Sequence, residues 1–227
     1  MASQNQQQQD ETAIDKMNSH LTSAGEKVAN NKKIIFWGVG AILVVACFAL
    51  SYIFIYRNPH VKDSFEAYNK VETEALANDS LAAVKYKEVA DKYKGDTAGK
   101  LAALSAGEAL YNEGKYEEAA EYLKRFSSKD EVLEANVLVL IGDCYVNLKK
   151  YDEALDYYHK SVRKANSNPQ IVPRVLLKEA NIYDEQKKYD MALGCYEQIK
   201  SGYPEFRLGN GLDIDAYIER ENARLAK

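Results

Sequence analysis

The run Lys115-Tyr116-Glu117-Glu118-Ala119-Ala120 returns as Lys150-Tyr151-Asp152-Glu153-Ala154-Leu155 and again as Lys188-Tyr189-Asp190-Met191-Ala192-Leu193. Counted from Ala119, Ala154 and Ala192, the copies lie 35 and then 38 residues apart. A period in that range marks stacked helical hairpins, none of which buries its apolar face alone. The spacing therefore predicts an all-α solenoid in which each unit depends on its neighbours.

Each copy has a second half upstream. Gly107-Glu108-Ala109-Leu110-Tyr111, Gly142-Asp143-Cys144-Tyr145 and Ala180-Asn181-Ile182-Tyr183 precede the three runs in turn. The whole pattern resembles tetratricopeptide repeats. These take a small residue at position eight, a large one at eleven, alanine at twenty and an aromatic at twenty-four. Here those positions read Gly107, Leu110, Ala119 and Leu123, then Gly142, Tyr145, Ala154 and Tyr158, then Ala180, Tyr183, Ala192 and Tyr196. The third repeat also closes on Pro204, whereas the first two lack that proline.

Packing explains the residue types. The two helices of a hairpin cross closely only where a small residue lets them touch, so Gly142 is expected to face the neighbourhood of Ala154. Tyr145 and Tyr158 are expected to fill the space between that hairpin and the next. Acids in the first turn of each second helix favour the positive end of its dipole. Most of the 17 tyrosines are thereby assigned to packing. Residues 57–95 read as a degenerate first hairpin, with Ala82, Tyr86 and Val89 fitting its second helix, and residues 96–208 as three repeats. Gly209-Asn210-Gly211 breaks the helix and Asp213 can cap a new one. Residues 209–227 then supply a capping helix whose stripe is Ile214, Tyr217, Ile218 and Leu225.

Upstream, residues 34–56 carry no charge. A helix of that length spans about 35 Å, enough to cross a ~30 Å hydrocarbon core with some tilt. Lys32-Lys33 precede it and Arg57 follows, with Trp37 near one end and Tyr52 and Tyr56 near the other, as membrane interfaces favour. The run exceeds a signal peptide's apolar region and follows a polar segment, so an uncleaved transmembrane helix is expected. Val44-Val45-Ala46-Cys47 resembles a bacterial lipobox, but the apolar stretch continues past Cys47. Residues 1–33 form a polar head, Gln-rich at first, in which Ile14, Met17, Leu21 and Val28 recur at helical spacing. The lysine pair at the membrane favours a cytoplasmic head, with the repeats outside the cytoplasm.

Beyond the span the chain is mildly acidic and well mixed, which excludes a polyanion partner such as nucleic acid. Cys144 and Cys195 form no CxxC and read as buried free thiols. His20, His60 and His159 make no metal spacing with them, and His159 is expected to face solvent. No nucleotide, hydrolase or zinc-protease motif is present, and the carboxylates are expected on exposed helical faces. No catalytic residue, metal centre or cofactor is expected, and the chain does not read as an enzyme.

What remains is protein binding. The resemblance implies a concave groove lined by first helices, and the carboxylate clamp of such repeats needs basic and asparagine residues at set positions. Those positions hold Leu104, Glu108, Leu140, Arg174 and Lys178, so only the last two match. The candidate groove residues are instead the polar ones that packing does not claim: Glu108, Asn112, Asp143, Arg174, Lys178 and Asn181.

The layout as a whole resembles the ancillary subunit family of the bacterial Sec translocon. It combines a head ending in Asn31-Lys32-Lys33, one span, a degenerate hairpin, and Asp96-Thr97-Ala98-Gly99-Lys100-Leu101 before a small array. That resemblance implies a single-pass inner-membrane protein facing the periplasm. Its partners would be translocon components, a periplasmic chaperone and secreted clients, and its role that of a chaperone assistant. Two alternatives stand beside it: a cell-envelope assembly adaptor, lipoprotein-like or not, and a cytosol-facing tetratricopeptide receptor.

Overall fold

The computed structural model describes residues 32–77, 81–207 and 213–226. It divides into two units, Met1–His60 and Val61–Lys227. The amphipathic stretch of the head and the Gly209-Asn210-Gly211 break lie outside the described residues.

In the first unit, α1 (Lys32–Ser51) is followed by a π-helical turn, Tyr52–Arg57. Its large apolar side chains, among them Trp37, Ile42, Val45, Phe48 and Ile55, are exposed. This is the one segment among the described residues long and apolar enough to cross a membrane, which is consistent with a single-pass anchor. Tyr52, Tyr56 and His60 stack in sequence, with ring centroids 5.6 and 6.0 Å apart.

The second unit is a succession of helices. From Val61 it takes in most of α2 (Asn58–Ala77), followed by α3 (Ala82–Lys92), α4 (Thr97–Asn112), α5 (Tyr116–Leu123), α6 (Glu131–Asn147), α7 (Tyr151–Ala165), α8 (Val172–Glu185), α9 (Tyr189–Gly202) and α10 (Ile214–Leu225). The helices α4–α5, α6–α7 and α8–α9 are the three repeats. Ala119, Ala154 and Ala192 are wholly buried, as are Ala180 and Tyr196, with Tyr158 and Tyr183 nearly so; Tyr145 is half-buried. Asp130 caps α6, its Oδ1 accepting from the amides of Val132 and Leu133 at 3.0 and 3.1 Å.

The turn inside every repeat has one geometry. Gly114, Lys149 and Lys187 each adopt positive φ, at 77°, 57° and 58°. The amide of the next residue, Lys115, Lys150 or Lys188, reaches back to the carbonyl of Leu110, Tyr145 or Tyr183 at 2.8–2.9 Å. This left-handed closure satisfies the last carbonyls of each first helix and aims the second helix back along it.

Gly142 and Gly107 are close-approach positions. A Cβ at Gly142 would overlap the ring of Tyr158, one turn beyond Ala154, and one at Gly107 would lie 2.5 Å from Leu123 Cγ. The side chain at position twenty-four presses hardest on the small residue, and at Gly107 the carbonyl oxygen of position twenty is also close, 3.2 Å from a Cβ there. Tyr158 meets Gly142 of its own hairpin and shares a core cluster with Val175, Leu176 and Ala180 of the next, with Tyr145 packed against that cluster and stacked on Tyr157, centroids 5.5 Å apart.

Two carboxylates overturn the expectation of uniformly solvated acids. Glu221 is fully buried, gripped by Arg220 and Arg224, which also hold Asp184 at 2.5 and 3.0 Å. This network fastens α10 to α8, alongside Ile214, Tyr217 and Ile218, while Leu225 stays exposed. Asp213 sits at the start of α10 but its side chain makes no capping bond. Glu179 is the second, buried near α7 and α9, with Oε2 3.6 Å from His159 Nε2 and Oε1 without a partner. Burial pushes its carboxyl up to about 7. Cys144 and Cys195 are buried free thiols, and burial raises both to about 12, so they stay protonated.

Candidate protein-binding groove

A cavity of about 360 Å³ opens on the first-helix side of the repeats. α6 contributes Asp143, Val146 and Asn147, and α8 contributes Lys178, Asn181, Ile182 and Glu185. Tyr111 from the end of α4 and Tyr151 and Tyr158 from α7 complete its wall. The repeat frame explains the convergence: Asp143 and Asn181 both occupy position nine, one residue past the small residue that lets the hairpin close.

Asp143 is the polar centre. Tyr158 Oη donates to its Oδ1 at 2.5 Å, and Lys178 Nζ lies 2.8 and 3.0 Å from its two oxygens. Burial, and then the carboxylate beside it, push the Tyr158 phenol well above the ordinary tyrosine range. A residue whose ring fills the hairpin thus also presents its hydroxyl to the groove. Asn147 Nδ2 donates to the Asp143 carbonyl at 2.9 Å and to Tyr111 Oη at 3.4 Å. Asn181 and Glu185 are exposed, and neither has a hydrogen-bonding or charged partner among the described residues.

Of the six residues chosen from sequence, the structure gathers Asp143, Lys178 and Asn181 at this cavity. Glu108 and Asn112 are exposed on α4 and do not line it. Arg174 lies elsewhere: it donates to the Gln170 carbonyl and borders a second cavity with Tyr203, Phe206 and Arg207. Sequence reasoning missed Tyr111, Asn147, Tyr151, Tyr158 and Glu185. The frame held a usable signal, since Asn112, Asn147 and Glu185 share position thirteen, one turn beyond position nine.

The tetratricopeptide repeat family matches residues 102–169 in one form and 174–205 in another. The chain therefore carries tetratricopeptide repeats over these residues. Among solved structures, BtubC (BKLC) from P. vanneervenii aligns with a TM-score of 0.51 at 12% identity, covering 74% of this chain and 84% of that one. MamA protein aligns with a TM-score of 0.50 at 17% identity, covering 74% and 88%. At these identities the likeness is one of fold. No curated protein matches the chain.

Proposed function

We propose that this chain is a membrane-tethered scaffold whose tetratricopeptide array binds protein through its first-helix groove. The observation that carries the reading is the cavity between α6 and α8, where Asp143, Lys178 and Asn181 converge beside unclaimed polar groups. Tetratricopeptide arrays serve as protein-interaction surfaces, and stacking leaves their first-helix face as the extended binding surface. The exposed apolar residues of α1 support the tether. Confining groove and partner to one membrane raises their effective concentration, so a weak site is still occupied.

Within that reading we place the repeats in the periplasm, beside the translocation channel, assisting a membrane-bound chaperone with secreted chains. The layout resemblance and the lysine pair before the span favour this over an envelope adaptor or a cytosol-facing receptor.

Photocrosslinking in native membranes tests the proposal. A photoreactive residue at Asn181 should crosslink to other proteins, while one at the exposed α7 residue Asp156 should not. Crosslinks confined to position 156 would overturn the groove assignment. Protease added to spheroplasts should digest the repeats; their protection until lysis would overturn the topology.

A further inference from the structure

We infer that the cavity between α6 and α8 receives a cationic side chain, Lys or Arg, projecting from an extended partner segment. The inference rests on the groove reading above and adds the chemistry of what enters it.

Asp143 is already answered by Lys178 and by the Tyr158 hydroxyl. Glu185 is not: it lines the same cavity, is exposed, and meets no cation or donor among the described residues. The cavity lining therefore carries two carboxylates against one ammonium, and one incoming positive charge balances it. The wall favours the same group. Tyr111 and Tyr151 border this space beside the Tyr158 hydroxyl, and aromatic rings attract ammonium and guanidinium groups. The cavity already accommodates one such group, since Lys178 reaches Asp143 here. Asn181 has both amide functions unused, which matches the donor and acceptor of a peptide bond in a partner's main chain.

The alternatives fit worse. An acidic side chain would face Glu185 and Asp143 together. An apolar one would cover Glu185 and Asn181 without giving either a partner, and burying unsatisfied polar groups opposes binding.

The test uses the full chain in detergent micelles and fluorescence anisotropy with three labelled octapeptides of Ser and Gly. They differ only at a central Arg, norleucine or Glu. The Arg peptide should bind about fivefold tighter than the norleucine peptide, the Glu peptide more weakly than either. Raising salt should erode both the Arg advantage and the Glu penalty while leaving norleucine binding unchanged. Glu185→Gln should reduce that advantage to about twofold or less, the loss appearing as weaker binding of the Arg peptide. Equal binding of the Arg and norleucine peptides, including no binding by either, would overturn the inference, as would an advantage that survives Glu185→Gln. If crosslinks from position 181 persist while the Arg advantage is absent, the cation site fails and the groove stands. If the crosslinks are also absent, both fail.

Discussion

The first and second repeats share a frame but differ in what stands at position twenty-four. In the first it is Leu123, pressed against Gly107, and the acid at position nine, Glu108, is exposed with no partner among the described residues. In the second it is Tyr158, pressed against Gly142, and its hydroxyl reaches the acid at position nine, Asp143. One oxygen atom converts a packing position into an anchor for the groove. Asp143 is thereby held where Lys178 of the next repeat can meet it, and the two form part of the lining of the cavity.

The sharpest way to break this comparison is at the small residue. Gly142→Leu drives four carbons into the Tyr158 ring, which is rigid and wholly buried. A loss of about 3 kcal/mol is expected, at the upper end of overpacking, read as a lowered Tm in circular dichroism at 222 nm. Gly107→Leu meets the branched end of a leucine instead, and its loss should be smaller. Equal losses would mean the ring is no stiffer an obstacle than the leucine.

The acids at position nine should separate the repeats next. Asp143→Ala removes the charged acceptor of the Tyr158 hydroxyl at the cavity wall and frees Lys178, which costs about 2 kcal/mol. Glu108→Ala removes an exposed carboxylate without a partner and should change stability by less than about 0.5 kcal/mol. Denaturant melts of the two variants decide the matter, and similar losses would remove the distinction drawn between the repeats.

Much of this architecture was legible because it is periodic. The alanines at 119, 154 and 192 announce the hairpins, and position eight announces the close contacts. The partner of position eight was not legible. Two residues, at positions twenty and twenty-four, lie one turn apart on the same helix face, and only three-dimensional packing selects between them. The groove was half legible for a related reason. Polar residues left over by the packing pattern include Asp143, Lys178 and Asn181, but a pattern that assigns Tyr158 to the core says nothing about where its hydroxyl points. Arg174 was chosen by the same rule, yet its position at the start of α8 turns it towards the end of α9. Glu179 was invisible as a buried acid because its neighbours in sequence, Lys178 and Asn181, are polar and face the groove.

Position seven extends the comparison to pH. It is Ile141 in the second repeat and Glu179 in the third, and both are buried. A carboxyl raised from the ordinary range to about 7 stays protonated in the folded chain while the unfolded chain has already released its proton. Stability from this group is therefore greatest below about pH 4.5, falls as pH rises towards 7, and is constant beyond. Glu179→Gln should abolish that decline and stabilise the chain at pH 8 by about 1–2 kcal/mol, the amide retaining part of the burial cost. Melts at pH 5 and pH 8 check the sign: wild type should lose ground to the variant at the higher pH. A difference independent of pH would assign the effect to packing.

The smallest expected effect concerns the turns, where the first repeat is the better built. Gly114 adopts positive φ without penalty, whereas Lys149 and Lys187 hold the same conformation with a Cβ. Left-handed backbone costs a residue with a Cβ roughly 1–2 kcal/mol, and glycine returns part of that through the greater freedom of its unfolded chain. Lys149→Gly should then stabilise the second repeat by about 0.5 kcal/mol, and Gly114→Lys should destabilise the first by about 1 kcal/mol. Neither side chain supports the fold: among the described residues, Lys149 and Lys187 form no ion pair. The exchange therefore isolates the backbone. Because each repeat is stabilised through its neighbours, the gain at Lys149 should appear in the melting of the whole array and not as a separate transition. A loss on Lys149→Gly would mean that the lysine restricts the unfolded chain more than its conformation strains the folded one. The second repeat's turn would then be set by the carbonyl closures from Lys149 and Lys150 alone.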